Sequence, residues 1–406
     1  MPPNKTFPEN DPTHTYLDVN IFNNNIDPTN SNPIPVVFNT RRDADYLNNP
    51  NDYYMAVVRW SMDSRLPIII PQINLDYNGG MYDPALGGYQ TIYSVNLIIE
   101  SSTVRKEYQR YISFVPQHQN SPHPLVPITS MTEVYNTPYF YIDSVQWWLL
   151  LVNQAIAYAW NEVRNDWLTN VGPLPATVLD APPFILYNYD GNITMNAPPS
   201  YLSFADIILG RCRMYFNSSL YTLFNGLSAV VNGFDNTSPL DTTLGKNYLI
   251  SFLNEFQTTT YKIATVDEEF VYMLSEYPVV PFWCPISSLV FQSNTIPVEA
   301  TNTAPTNIAG VPASIATINN NLNLSNIITD FDINLITGTE SRQITYYDAN
   351  PYRFFDLNSN RPIGEINISV LWKDKLTGST HPFKIFSGSG GSIKILFRKK
   401  NFYSND

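Results

Sequence analysis

Histidine, cysteine and clustered carboxylates build most catalytic and metal sites, and this 406-residue chain uses them sparingly. Its histidines are His14, His118, His123 and His381. His118 and His123 stand five apart in a Pro-rich stretch with no further ligand at metal-site spacing, so a plain loop is the better reading. Asp267-Glu268-Glu269 sets three carboxylates in a row. Glycoside hydrolysis needs two carboxylates facing each other across a sugar ring, which sequence neighbours cannot do, and a solvated face fits better. Gly388-Ser389-Gly390-Gly391-Ser392 has the composition of a phosphate loop but lacks the Gly-Lys-Ser/Thr ending. It also leads into a strand rather than a helix N-terminus, so a hairpin loop is expected. There is no Gly-x-Ser-x-Gly elbow. Cys284, between Trp283 and Pro285, reads as an inert buried thiol. With Cys212 it makes two cysteines, which is neither a disulfide framework nor a metal-binding spacing and fits a reducing compartment. No catalytic, cofactor or metal site is expected.

Two features suit contact rather than catalysis. Lys394, Arg398, Lys399 and Lys400 form the densest basic cluster in a chain of net charge -12. They are candidates for a contact with nucleic acid or an acidic partner, with a solvated face as the simpler alternative. The second feature is aromatic abundance, 27 Tyr, 22 Phe and 7 Trp, outside any catalytic pattern. Such residues fill cores, and they also dominate interface centres because they bury large area at small entropic cost.

The elements that must position these residues are mostly strands. Charged residues are only 14% of the chain, replaced by 45 Asn, 32 Pro and the aromatics. Asn and Pro favour turns and Tyr and Phe favour strands, so the chain reads as β-rich with long, polar, weakly charged loops. Neutral polar loops are cheaper to bury against a neighbour than charged ones. The acidic balance argues against sequence-independent nucleic-acid binding by the whole surface. No apolar run approaches a membrane span, and Met1–Thr6 has no apolar signal segment.

Residues 1–50 read as an extended N-terminal arm. Its one alternating piece carries Tyr16, Val19, Ile21 and Phe22, the candidate assembly residues. Cutting away residues 1–45 is therefore expected to leave a folded protomer. Residues 51–124 supply strands, including Asp52–Trp60, Thr91–Ile99 and Tyr108–Val115. Residues 125–280 read as an insertion. It has an amphipathic helix near 143–165, with Val145, Trp148, Leu149, Val152, Ile156, Trp160 and Val163 at helical spacing behind a cap at Asp143 or Ser144. A short helix over Ser218–Phe224 and an Asp190-Gly191 hairpin follow. Residues 281–406 return to strands after a long loop at 299–325. The expected fold is all-β: a jelly-roll β-sandwich with an inserted, partly helical subdomain and an extended arm.

The end of the chain resembles the penton (minor capsid) proteins of virophages, Polinton-like viruses and related icosahedral DNA viruses. The resemblance lies in Tyr352–Leu357, Arg361-Pro362-Ile363, Ile366–Asp374, His381-Pro382-Phe383 and Ser392–Lys400. Asp52–Trp60 with Ile69-Ile70-Pro71, Phe184–Tyr187 with Ile193–Pro198, and Pro285–Phe291 with Ile296-Pro297-Val298 are similar to earlier parts of that family. The resemblance implies a structural protein without catalysis, forming homopentamers at fivefold vertices. Its partners would be the major capsid protein and encapsidated DNA, with no membrane span and no cofactor. Its place would be the virion, after synthesis in the host cytoplasm or nucleus. The adenoviral Arg-Gly-Asp tripeptide is absent from this sequence. The alternatives are a small major capsid protein, a receptor- or carbohydrate-binding β-sandwich and, last, a glycosidase on a similar scaffold.

Overall fold

The computed structural model describes residues 13–24, 34–63, 67–73, 82–83, 88–117, 141–188, 190–232, 246–263, 265–298, 301–302, 324–332, 343–347, 353–375, 380–385 and 388–400. Two compact units divide the chain: Met1–Leu66, Pro285–Asn334 and Glu340–Asp406 form one, and Pro67–Cys284 with Leu335–Thr339 the other. The first unit begins with β1 (His14–Phe22), β2 (Val37–Arg41) and β3 (Tyr53–Asp63). The second contains β4 (Gly88–Glu100), β5 (Arg105–Phe114), α1 (Val145–Asn170), β6 (Phe184–Tyr187), β7 (Ile193–Ala197), β8 (Arg211–Phe216), α2 (Ser218–Leu223), β9 (Ala229–Val231), β10 (Tyr248–Ile250), β11 (Thr258–Ile263), β12 (Val266–Leu274) and α3 (Val280–Trp283). The chain then re-enters the first unit through β13 (Ile286–Ser293), β14 (Ile327–Asp332), β15 (Gln343–Tyr347), β16 (Glu365–Asp374), β17 (Thr380–Pro382) and β18 (Gly390–Lys399).

The first unit is a sandwich of two antiparallel sheets. One runs β1-β18-β3-β15; the other runs β14-β13-β16-β17, with β2 also paired to β16. Period-two alternation decides which side faces in. Along β16, Ile366, Ile368, Val370 and Trp372 are buried while the residues between them are half-buried. In the other sheet Leu17 and Val19 of β1, Ile393, Ile395 and Phe397 of β18, and Met55, Val57, Trp60 and Met62 of β3 are buried. The sheets meet through aromatic rings. Trp60 stands edge-on to Phe291 of β13 at 5.4 Å and 84°, and Phe291 edge-on to Phe331 of β14 at 5.0 Å and 67°. Such T-shaped pairs add about 0.5–1.5 kcal/mol beyond the area they bury.

This arrangement corrects the arm reading for residues 13–24 and 34–50; the rest of the expected arm, 1–12 and 25–33, lies outside the described residues. β1 lies antiparallel along β18 over its whole length, from His14 opposite Arg398 to Phe22 opposite Gly390. β2 is hydrogen-bonded to β16, and Phe38 is fully buried. The alternation of Leu17, Val19 and Ile21 is that of a half-buried sheet strand, and a complementary strand waits at the far end of the chain. The loop at 299–325 is closed at its ends, where Thr301 pairs with Ser325 and Asn302 with Leu324; residues 303–323 lie outside the described residues.

The second unit begins at Pro67, well before the expected 125. β4 and β5, read from sequence as jelly-roll strands, belong to it. They pair with each other, and β4 also pairs with β8, extending through β10 to β9. A second sheet runs β11-β12-β7-β6. α1 starts where Ser144 Oγ accepts from Trp147 N at 3.3 Å, a side-chain N-cap. Its Trp148, Val152, Ile156, Trp160 and Val163 are all essentially inaccessible and join the core cluster with Tyr93, Val95, Leu97 and Ile99 of β4. The misplaced boundary has a physical cause. β4 is buried along nearly its whole length, and a strand buried on both faces looks the same in any sheet, so periodicity could not say which of the two units β4 and its hairpin partner β5 serve.

Candidate assembly surface

Residues that the sequence placed at opposite ends of the chain meet on one face of the sandwich. β1, β18 and β3 are neighbours, and their registers set rows across the outward side. Asp18, Lys394 and Arg59 form one row; Tyr16, Leu396 and Ala56 the next, in which Leu396 and Ala56 are buried; His14, Arg398 and Tyr54 a third. A register shift between Lys394 and Ile395 puts Lys394 and Arg59 side by side while Ile393 and Ile395 stay buried. Asp18 answers both cations, with Arg59 Nη2 at 3.3 Å and Lys394 Nζ at 3.6 Å. Lys394 Nζ also lies 5.3 Å from the centre of the Tyr16 ring. Arg398 sits 5.5 Å over Phe354, and Lys400 Nζ is 5.3 Å over Tyr54 and 2.9 Å from Asp356 Oδ1.

Of the candidate residues, Tyr16, Phe22, Lys394 and Arg398 share this outward side, and Lys400, just past β18, reaches Tyr54 on it. Val19 and Ile21 point the opposite way, into the sandwich; Val19 is buried and Ile21 half-buried. Lys399 also alternates to the other side, opposite the buried Tyr53. Tyr16 and Phe22 remain 55% and 65% exposed, so the face has aromatic rings interleaved with cations. Sequence reasoning missed Arg59, Tyr54 and Phe354 as members of this surface. Their signal was weak, because only strand register brings them to Lys394 and Arg398.

The residue types suited to chemistry lie apart. Asp267, Glu268 and Glu269 are on β12 opposite Lys262, Tyr261 and Thr260, mostly solvated. Cys212 is buried, and burial pushes its thiol up to about 12. Cys284 is buried with its Sγ 3.1 Å from the Pro67 carbonyl. Among the described residues no group of three His, Cys, Asp or Glu is placed to hold a metal ion. His118 and His123 lie outside the described residues. Among the described residues no helix is long and apolar enough to cross a membrane.

His381 is half-buried against Trp372, with ring centres 4.5 Å apart, and burial holds its pKa below 6.5 against the opposing charge of Asp374. A histidine whose folded pKa is depressed binds its proton more readily when unfolded, so its contribution to stability is present above 6.5 and is lost as pH falls below that value. Thermal melts taken from pH 6.5 downward should show falling stability, and His381→Gln should flatten that part of the slope.

Two face-packed antiparallel sheets, a large unit inserted between their strands and an outward face with contact chemistry are the build of a jelly-roll viral capsid protein. The chain belongs to the Sputnik minor capsid protein V18/19 family, whose model matches residues 15–399. It is 24% identical over 189 residues to structural protein V19 of Sputnik virophage, covering 46% of this chain and 81% of that one. A chain in the cryo-EM structure of the Sputnik virophage superposes with a TM-score of 0.71 at 24% identity, over 96% of this chain and 99% of that one. The mavirus penton protein superposes at 0.54 with 13% identity, over 95% and 99%. The two structural likenesses cover nearly the whole chain.

Proposed function

We propose that this protein is the vertex component of an icosahedral capsid, forming closed rings of five that sit within a lattice of major capsid protein, and that it acts by assembly rather than catalysis. The family match over 15–399 carries the reading. The shared fold with the mavirus penton protein supports the ring in particular. Cyclic rings need a head-to-tail contact in which two different patches of one chain meet. The outward face of the first sheet supplies chemistry suited to one such patch. Its cations are held by Asp18, Asp356 and aromatic rings of the same chain, which favours a protein neighbour over encapsidated DNA as their partner.

Mass photometry of the purified chain tests the ring directly. The expected species has five times the protomer mass. A stable trimer would favour a major-capsid type of subunit, and a monomer at high concentration would remove the vertex reading.

A further inference from the structure

Two loops of the second unit carry large apolar side chains that its core does not use. Phe204, Ile208 and Leu209 are 55%, 73% and 57% exposed; Leu253 and Phe256 are 67% and 86% exposed. The loops run side by side. Ser203 N donates to Phe252 O at 3.0 Å, the Ser203 and Ser251 hydroxyls are 2.7 Å apart, and Leu202 bridges Phe252 in parallel register. Five side chains at these exposures leave on the order of 500 Å² of apolar surface open, near the upper end of the roughly 300–600 Å² of the largest patch on a typical monomer.

Short polar groups hold this display in place. Asp206 Oδ1 accepts from Ile208 N at 2.8 Å and Asn254 Oδ1 from Phe256 N at 3.0 Å. Thr177 Oγ1 is 2.7 Å from both the Leu209 and Gly210 carbonyl oxygens. Gly210 closes the first loop at φ +101°, where an added Cβ would lie 2.3 Å from Pro175 Cβ. The loops are fixed by their backbone, so their apolar side chains are available to a partner without rearrangement.

Charge selects the partner. The loops spanning 202–210 and 251–257 contain Asp206 and Glu255 and neither Lys nor Arg. Patch-to-patch contact between two copies would gather four carboxylates with no counter-charge, which disfavours a twofold arrangement. The face built by Tyr16, Asp18, Arg59 and Lys394 is complementary: two cations share one carboxylate and leave the row net positive beside the exposed Tyr16 ring, with the exposed Phe22 further along the same strand. We infer that the acid-flanked apolar loops of one copy dock on the cationic aromatic sheet face of the next. The inference rests on the ring reading and names the contact that makes the ring. An apolar patch of this size supplies the core of a standard interface of about 800 Å² per partner, with polar groups as the rim.

The test uses the full chain. Ile208→Ser and Phe256→Ser change exposed side chains and should leave the melting temperature unaltered. Together they should raise the concentration needed for half-assembly at least tenfold. Asp206→Lys with Glu255→Lys should have a similar effect, and adding Asp18→Lys, Arg59→Glu and Lys394→Glu in the same chain, which reverses the facing charge while keeping the ion pairs of that row, should restore the ring. Normal rings from the serine variant would overturn the inference while leaving the ring reading intact, as would a charge-reversed chain that the compensating pair fails to restore. Flotation of the wild-type chain with phosphatidylcholine vesicles, lost in the serine variant whose rings persist, would assign the loops to a membrane and overturn the inference. An unaltered chain that never leaves the monomeric state would bring down the ring reading itself.

Discussion

Replacing Trp60 by alanine should destabilise the protein by about 3–5 kcal/mol, the range for removing a large aromatic from a packed core. Trp60 is 1% exposed in β3, between β18 and β15 in its own sheet, and its ring meets Phe291 of the facing sheet. Removing it opens a cavity at the place where the two sheets are joined, and neighbouring strands cannot collapse without breaking their ladders. The loss is a large share of the roughly 5–15 kcal/mol that stabilises a typical domain. Trp60→Phe should cost much less. It keeps most of the edge-to-face packing, and the indole N–H it removes has no hydrogen-bond partner among the described residues. Urea denaturation of both variants checks this; near-native midpoints for the alanine variant would show that the two sheets do not depend on this contact.

Deleting residues 1–45 should prevent stable folding of the sandwich, the reverse of what an extended arm would give. The cut takes one strand from each sheet. With β1 go Leu17 and Val19, 5% and 7% exposed; with β2 and its approach go Val36 and Phe38, 1% and 0% exposed. Each fully buried side chain of this kind is worth about 1.5–3 kcal/mol, so the combined loss is upward of about 6 kcal/mol and comparable to the whole stability of a domain. The deletion also bares the apolar edge of β18 at Ile393 and Ile395, where unpaired backbone invites aggregation. The measurement is soluble yield and chemical denaturation of the truncated chain, beside a control in which only the outward Tyr16 and Phe22 become serine. The control should keep its stability. A truncated chain as stable as the full one would show that β1 and β2 are dispensable.

Local patterns were legible where one element carries its own signal. The helical spacing from Val145 to Val163 and the cap at Ser144 sit on α1, and Asp190-Gly191 sits between β6 and β7 with Gly191 at φ +87°. The alternation of Ile366, Ile368, Val370 and Trp372 marks the buried side of β16. The assembly surface was half legible. Composition points to Tyr16, Phe22, Lys394 and Arg398, but as two unrelated groups at opposite ends of the chain, and Val19 and Ile21, neighbours of the first group in sequence, are turned inward by alternation.

Residue types and spacing on their own determined the β-rich class, the main helix, the scarcity of catalytic groups and the resemblance to capsid proteins. These depend on intervals of two to four residues, which the backbone's own geometry reads out. Tertiary structure alone decided that the first strand closes against the last, that β4 and β5 belong to the inserted unit, and that Asp18, Lys394 and Arg59 stand in one row. Those outcomes depend on pairing between segments up to several hundred residues apart. Strand pairing is fixed by which apolar faces can be buried together, a property of two segments at once that no single stretch of sequence contains.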